Sequence, residues 1–143
     1  MKELKVKLLN KDAKAPVRAH KKDSGVDLYA TKNMRIEAHS SVLVPTGIAI
    51  QLEDGYEATV RPKSGISAKT FKRVVYGTVD TDYRGEIKVV VDNVSNNHQF
   101  IEKGKKIAQL VVNPVVTPKI NVVEDFEGES DRGENGFGST GLD

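Results

Sequence analysis

Short apolar segments, each ended by turn-forming residues, constrain the fold of this chain more than any other feature. Leu4, Val6 and Leu8 alternate with charged residues, which predicts a half-buried β-strand rather than a helix. Similar strand-like segments follow along the chain, at 34–36, 42–52, 56–60, 71–79, 87–91, 107–112 and 115–123. Helical periodicity is missing from them, and only 66–71 could hold a short helix. The pattern therefore predicts an all-β sandwich or jelly roll.

The stretch 77–87, GTVDTDYRGEI, lies between two of these segments and predicts a hairpin with its turn at 80–84. Asp80 and Asp82 favour a turn because their side chains can bond the local backbone, and Gly85 can adopt a positive φ. Two interpretations of the aspartates remain open at this point. They either shape the turn only, or one of them is a carboxylate with a chemical role.

Two further segments carry groups suited to an anion. RPKSGIS at 61–67 brings cations, a hydroxyl and backbone N–H donors together, which suits a phosphate but is also typical of an exposed turn. Asp27 lies in the otherwise apolar SGVDLYA, where it is either a satisfied strand-end carboxylate or a ligand. The tail segment RGENGFGSTG at 132–141 sets an aromatic ring between glycines and ahead of two hydroxyls. It is either a flexible linker or a mobile lid that closes over a ligand.

Composition narrows the class of protein. A length of 143 residues suits one domain, and we expect a β domain over 1–126 followed by a mobile, glycine-rich lid over 127–143. A formal charge of +2 is too small to indicate nucleic-acid binding, and no apolar run is long enough to span a membrane. The absence of cysteine excludes disulfides and thiolate metal sites. We expect a cytoplasmic protein.

With these residues in view, the chain resembles the homotrimeric deoxyuridine triphosphatase (dUTP diphosphatase) family along nearly its whole length. Five motifs carry the resemblance, in family order: SGVDLYA, RPKSGIS, GTVDTDYRGEI, GKKIAQL and RGENGFGSTG. The resemblance implies a distorted jelly roll of the β-clip type and a homotrimer with active sites at the subunit boundaries. It also implies Mg²⁺-dependent hydrolysis of dUTP to dUMP and pyrophosphate, which keeps uracil out of DNA and supplies dUMP for dTMP synthesis.

The resemblance also implies roles for individual residues. Asp80 is similar to the family's general base, which orients and deprotonates the water that attacks the α-phosphorus. The main chain at Thr78, Val79 and Lys88 would read the uracil edge, and Tyr83 would pack on the deoxyribose.

Other motif residues correspond to the family's phosphate and lid contacts. The phosphate contacts would be Lys63, Ser64, Gly65 and Gln109, and the lid contacts Arg132, Phe137, Gly138, Ser139 and Thr140. Mg²⁺ would sit mainly on the substrate phosphates and have no direct protein ligand, with Asp27 at most in its outer shell. The chain departs from the family twice. Lys63 stands where arginine is usual, and 104–106 reads Gly-Lys-Lys where Gly-Asp-Arg is common.

Two alternatives remain beside this interpretation. A deoxycytidine triphosphate deaminase has a similar fold, but the complete tail motif and Tyr83 argue against it. A nucleotide-responsive regulatory protein could use the fold to bind a partner. An intact Asp80 and an intact lid favour catalysis without excluding such a second role.

Overall fold

Short strands dominate the architecture, as the sequence predicts. A computed structural model describes residues 1–141 of the chain. Its elements are β1 Lys5–Leu8, β2 Gly25–Tyr29, β3 Met34–Ile36, β4 Ser41–Pro45, β5 Ile48–Gln51, β6 Tyr56–Arg61, α1 Ser64–Lys69, β7 Lys72–Val74, β8 Gly77–Val79, β9 Lys88–Asn93, β10 Gln99–Ile101 and β11 Lys106–Pro114. No stretch of 1–141 forms a helix with the length and apolar character needed to cross a bilayer.

The strands form four antiparallel sheets. The largest has the order β2-β11-β6-β8, and a three-stranded sheet has the order β4-β9-β7. Two-stranded sheets are formed by β1 with β5 and by β10 with β3. Most neighbours in a sheet are far apart in sequence, as expected for a jelly roll, and the all-β jelly-roll prediction is confirmed.

The core lies between the sheets, and several strands contribute alternate residues to it. In β9, Val89 and Val91 are fully buried while Val90 faces outward. Other strands contribute aliphatic side chains to the same cluster, including Leu28, Ile36, Val44, Ile48, Ala58, Val60, Ile101 and Leu110. This shared core holds the motif-bearing strands in fixed positions.

The predicted hairpin at 77–91 is wrong in its pairing. Strand β8 pairs with β6, whereas β9 pairs with β4 and β7, so the connection at 80–87 crosses from one sheet to another. The end of this connection is tied to the loop after β4. The Ile87 N–H donates to the Ile48 carbonyl at 2.9 Å, and the Gly47 N–H donates to Glu86 Oε2 at 2.9 Å. The strands on either side of this connection, β8 and β9, therefore pair with strands of different sheets and not with each other.

Three other sequence predictions need correction. The segment 115–123 is not a strand, although it is rich in β-branched residues, because it has no partner strand and Pro118 lacks an N–H. Strand β1 forms, but it is exposed along its whole length, and of the predicted Leu4, Val6 and Leu8, Leu4 alone is found packed against the core in the described chain. The short helix α1 is present and begins two residues before the predicted 66–71.

Asn93 is a polar residue of the core and suggests a test of this fold. Its Nδ2 group donates to the carbonyls of Ile36, Glu37 and Asn97, at 2.7–3.1 Å. Its Oδ1 accepts from the N–H and hydroxyl of Ser95. The side chain thus links the end of β9 to β3 and to the loop before β10.

We expect Asn93→Ala to lower the free energy of unfolding by roughly 3 kcal/mol, because several buried polar groups lose their partner. The melting temperature should fall by about 10 °C. Asn96→Ala is the matched control, since Asn96 is exposed and its side chain bonds only His39, at 2.7 Å. Equal melting temperatures for the two variants would show that the Asn93 network is not a stabilising feature.

Candidate active site

In the four-stranded sheet, residues of the motifs SGVDLYA, RPKSGIS and GKKIAQL lie side by side on neighbouring strands. On β11, Gln109 lies directly opposite Asp27 of β2 on one side and Arg61 of β6 on the other. Residues directly opposite each other in a sheet point to the same face. The alignment therefore makes one transverse row of polar side chains from segments that are distant in sequence.

Asp27 is the buried member of this row, with only 3% of its surface exposed. Its Oδ1 accepts a hydrogen bond from Lys63 Nζ, and its Oδ2 faces Lys106 Nζ at 3.1 Å in an ion pair without hydrogen-bond geometry. Burial raises the pKa of the Asp27 carboxyl, but the bond from Lys63 and the charge of Lys106 outweigh it, and the pKa lies below its ordinary value. Asp27 is therefore a carboxylate at neutral pH.

Gln109 holds the loop that follows β6. Its Nε2 donates to the Pro62 carbonyl at 2.8 Å, one residue before Lys63. Gly25 lies against this side chain so closely that an added Cβ would come within 2.3 Å of Gln109 Oε1. A glycine at 25 is thus required for the amide of Gln109 to reach the loop. The structure places Gln109 as a support of the loop, whereas the sequence predicts a phosphate contact.

The loop presents the remaining cationic and hydroxyl groups. Lys63 is the residue before α1, and Ser64 and Gly65 are exposed in the first turn of that helix. The N–H groups of Ser64 and Gly65 lie in the first turn of the helix, where backbone N–H groups have no acceptor within the helix. Arg61 bends back along β6, where its Nε donates to Thr59 Oγ1 at 2.7 Å. We call Asp27, Arg61, Lys63, Ser64, Gly65, Lys106 and Gln109 the phosphate half-site.

A second group of predicted residues surrounds a cleft of about 370 Å³ between β8 and β9. Strand β8 uses one edge to pair with β6, and Lys88 pairs only with Pro45 of β4. The facing edges of Thr78, Val79 and Lys88 therefore keep main-chain groups available to a ligand. Asp80 and Tyr83 lie at the same cleft. We call these five residues the cleft half-site.

Hydrogen bonds within the turn at 80–84 and from the turn to β6 hold it in place. The Tyr83 N–H donates to the Asp80 carbonyl at 3.1 Å, and Thr81 Oγ1 donates to the Tyr56 carbonyl at 2.6 Å. The Tyr83 ring folds over Gly85, where an added Cβ would meet its hydroxyl at 2.5 Å. The Tyr83 hydroxyl donates to the Glu86 carbonyl at 2.8 Å. These contacts fix the ring beside the cleft and leave the Asp80 side chain exposed.

The two half-sites lie at opposite ends of β6. Val79 pairs with Ala58, so Asp80 follows at the beginning of β6, whereas Lys63 comes after its last residue, Arg61. A strand of six residues spans roughly 17 Å. A triphosphate is much shorter than this distance. Asp80 and Lys63 are therefore well separated along β6 within one chain.

The tail residues form local turns and stay away from the β body. The last bond to the body in the described chain joins the Val115 N–H to the Gly55 carbonyl at 2.9 Å. Within the tail, Arg132 Nε donates to the Asn135 carbonyl, and the Ser139 N–H donates to the Gly136 carbonyl. Phe137 is fully exposed and has a φ of 47°, which is unusual for an aromatic residue. The predicted lid contacts up to Thr140 are thus accessible, while 142–143 of the predicted lid lie outside the described residues.

The side chains that could act as metal ligands indicate how Mg²⁺ would be held. Within 1–141, no three His, Asp or Glu side chains converge as they would in a site built from protein ligands alone. Both oxygens of Asp27 face a lysine ammonium, which disfavours the outer-shell role that the resemblance implies. The residues present fit an ion that arrives on the substrate phosphates and keeps its waters, as Mg²⁺ commonly does.

Sequence reasoning missed the contact of Lys106 with Asp27 and the close approach of Gly25 to Gln109. Lys106 was considered only as a departure from the family pattern, and its contact with Asp27 depends on strand register. Gly25 offered a signal, because a glycine at the start of an apolar strand often marks a close approach.

The jelly roll, the open cleft and the loop that carries Lys63 are together those of an all-β class of enzymes that act on nucleotides. The model of the dUTPase family matches residues 11–141. The chain belongs to the dUTPase family.

Relatives and solved structures agree with this assignment. The chain is 45% identical to the deoxyuridine 5'-triphosphate nucleotidohydrolase of Clostridium tetani, over 96% of each chain. It is 46% identical to that of Hydrogenobaculum sp., over 98% of this chain and 99% of the relative.

Among solved structures, a mutant dUTPase of Staphylococcus bacteriophage 80alpha with dUpNHpp has a TM-score of 0.95 at 32% identity. The match covers 99% of this chain and 100% of the phage chain. A mutant dUTPase of the S. aureus phage phi11, described with a structural Mg(II) ion, has a TM-score of 0.83 at 27% identity and covers 88% of this chain and 99% of its own. The phage 80alpha work also describes phage dUTPases as controlling the transfer of virulence genes.

The ion pairs of Asp27 predict a pH dependence of stability. A carboxyl whose pKa is lowered on folding stabilises the native state above its unfolded pKa of about 4, and that contribution is lost as the pH falls through the folded pKa. We expect Asp27→Asn to lower the free energy of unfolding by about 2 kcal/mol at pH 7. The difference from the unaltered chain should shrink below about pH 4.

Urea unfolding at several pH values measures this difference. Asp12→Asn is the control, because Asp12 pairs with Lys103 at 2.7 Å on the surface and its contribution should be small and screened by salt. A difference for Asp27→Asn that stays constant from pH 7 to pH 3 would contradict the ion-pair explanation.

Proposed function

We propose that this member of the dUTPase family hydrolyses dUTP to dUMP and pyrophosphate, with Asp80 as the general base. The observation that carries the proposal is the cleft half-site, where an exposed carboxylate stands beside two strand edges with free main-chain groups. In a cell the reaction keeps uracil out of DNA and supplies dUMP for dTMP synthesis. Such a role suits an enzyme of the cytoplasm.

Base recognition follows from the main chain of the cleft half-site. Main-chain N–H and C=O groups on the unpaired edges at Thr78, Val79 and Lys88 can match O4 and N3–H of uracil. Cytosine presents the opposite donor and acceptor at these positions, so it would leave buried groups without partners. Because the backbone would read the base, the side chain of Lys88 need not be small. The Tyr83 ring would pack on the deoxyribose and leave no room for a 2′-hydroxyl.

Asp80 suits the part of a base that orients water. Its side chain forms no hydrogen bond or ion pair with other residues of 1–141, so its oxygens are available to a water molecule. Phosphoryl transfer depends mostly on positioning and on neutralising charge, and one carboxylate is enough to align the nucleophile and take its proton. The water attacks the α-phosphorus, the bond to the bridging oxygen breaks, and pyrophosphate leaves.

The phosphate half-site would hold the triphosphate. Lys63, Ser64 and the Gly65 N–H supply a cation, a hydroxyl and a donor, and Gln109 keeps their loop in place through Pro62. Mg²⁺, when bound to the phosphates, neutralises part of their charge and makes pyrophosphate a better leaving group.

We further propose that the active site forms between copies of the chain in a homotrimer. The separation of the half-sites along β6 supports this, because Asp80 needs the phosphate half-site of a neighbour. The distribution of charged side chains along β6 also supports a site shared between copies of the chain. Asp54, Glu57, Asp80 and Asp82 cluster at the cleft end of β6, while Lys63 and Lys106 lie at the other end. A head-to-tail contact that pairs opposite ends can close into a ring.

The tail would complete the site as a lid, separate from the β domain of 1–126. Arg132 would reach the γ-phosphate, Phe137 would stack on uracil, and the segment 138–140 would donate to the terminal phosphates. Its exposure and its lack of hydrogen bonds to the body after Val115 support this role, since such a segment needs a ligand to order it.

A nucleotide-responsive regulatory role is the second candidate. The observation that favours it is the likeness to the phage 80alpha dUTPase, which is described as a controller of gene transfer. Deamination of dCTP is a weaker alternative, because the cleft matches uracil. Chromatography of the products formed from dCTP and dUTP separates hydrolysis from deamination.

The first prediction concerns Asp80→Asn, which keeps the side-chain shape but removes the ability to take a proton. Turnover should fall by on the order of 10² to 10⁴, while the affinity for dUpNHpp should change little. Pyrophosphate release and calorimetric titration measure the two quantities. Asp82→Asn, an exposed aspartate of the same turn, is the control and should keep normal turnover. Normal turnover of Asp80→Asn would remove Asp80 from the catalytic role.

Mixed oligomers provide a test of the shared site. Asp80→Asn and a Lys63→Ala, Ser64→Ala double variant should each be nearly inactive alone. After unfolding and refolding together, some sites will combine an intact cleft half-site from one variant with an intact phosphate half-site from the other. Activity should therefore reappear in the mixture. A mixture that stays as inactive as its components, with oligomers confirmed by light scattering, would show that the site lies within one chain.

The lid is tested by removing 128–143. The β domain should stay folded, because β11 ends at Pro114 and the last bond to the body is made by Val115. Turnover should fall sharply, because the lid excludes water and adds donors around the phosphates. In the full chain, dUpNHpp with Mg²⁺ should slow proteolysis of the tail, and dUMP should not. Full activity after truncation, or equal protection of the tail by both ligands, would show that the tail is a linker and not a lid.

A further inference from the structure

Lys106 reaches Asp27 because of an irregularity in β11. The register of β11 against β2 shifts between Lys106 and Ala108, so that Lys106 lies opposite Tyr29 while Ala108 lies opposite Leu28. Side chains alternate between the two faces of a strand, so an extra residue changes the face of everything before it. The bulge thus moves Lys106 onto the face of Asp27 and Gln109.

Burial supports this interpretation of the bulge. Ile107 and Ala108, the residues at the shift, are both buried, so the alternation of buried and exposed side chains is interrupted there, as it is again at Leu110 and Val111. Bulges often occur next to functional sites, where they redirect one side chain. In this chain the redirected side chain is a lysine, and it meets the carboxylate that already bonds Lys63.

The result is one buried carboxylate between two ammonium groups. The side chain of Asp27 is 4% exposed, that of Lys63 29% and that of Lys106 50%. A buried carboxylate that loses its only cation is strongly destabilised. With two cations present, one of them can leave while the other still neutralises the charge.

We propose that Lys106 is a positioning residue that frees Lys63 for the substrate. When the triphosphate arrives, the Lys63 ammonium moves from Asp27 to the phosphates, and Lys106 remains as the counter-ion of Asp27. The flexible stem of a lysine allows this movement, and its three rotatable donors can turn from the carboxylate to the phosphates. The inference rests on the proposed function of Lys63 as a phosphate contact.

The test compares Lys106→Met, Lys106→Arg and Lys105→Met in the full chain. Lys106 is half exposed, so its substitution leaves the core packing intact. Lys105 is the matched control, because it is exposed, carries the same charge and has no ion pair with residues 1–141. The measurements are KM and kcat for dUTP, and the Kd of dUpNHpp with Mg²⁺ by calorimetry.

For Lys106→Met we expect KM and Kd to rise about tenfold while kcat changes less than twofold, because binding is weakened equally in the ground and transition states. Lys106→Arg should stay within twofold of the unaltered chain, because it keeps the charge. The double variant Asp27→Asn, Lys106→Met should bind dUpNHpp nearly as well as the unaltered chain, because no buried charge then holds Lys63.

Two results would overturn the proposal. In one, Lys106→Met and Lys105→Met have equal effects, so that only the overall charge matters. In the other, the double variant binds as weakly as Lys106→Met alone. The variant Lys63→Met tests separately whether Lys63 contacts the phosphates, so failure of the Lys106 proposal can be told apart from failure of the proposed function. If its Kd for dUpNHpp equals that of the unaltered chain, Lys63 is not a phosphate contact at all.

Discussion

The position of β11 between β2 and β6 is the constraint on which the rest of the site depends. It aligns Gln109 with Asp27 and Arg61, and it is continuous with the core through Leu110 and Ala108. A shift of one residue in this register would turn the polar row toward the core. Because apolar burial on the other face fixes the register, the packing that stabilises the sheet also assembles the phosphate half-site.

The same rigid strands are the basis for proposing a site shared between chains. Strand β6 connects the two half-sites and also keeps them apart, since a paired strand cannot shorten. A flexible connection could have folded both groups onto one substrate. In the proposed homotrimer, the two half-sites would instead meet between copies of the chain, and activity would then depend on assembly.

The sequence predicted the strands better than their partners. Alternation and short apolar segments are local signals, so β3, β6 and β11 could be identified from them, whereas the roles of the cleft residues follow from the family resemblance. Pairing is not local, so the turn signal at 80–84 predicts a hairpin although β8 and β9 join different sheets. The segment 115–123 failed for a related reason, because β-branched residues favour a strand only where a partner is available.

The role of Asp27 shows where sequence reasoning stops. In SGVDLYA it could be a satisfied carboxylate or a ligand, and the choice depends on two lysines that are 36 and 79 positions further along the chain. Their side chains reach it through a loop and a bulge, neither of which has a clear sequence signal. An arginine in place of Lys63 could bond the carboxylate and a phosphate at once through its planar group of donors. A lysine has no such fixed fork, so in the proposed exchange Lys63 turns from Asp27 to the phosphates, and Lys106 is the second cation that stays with the carboxylate.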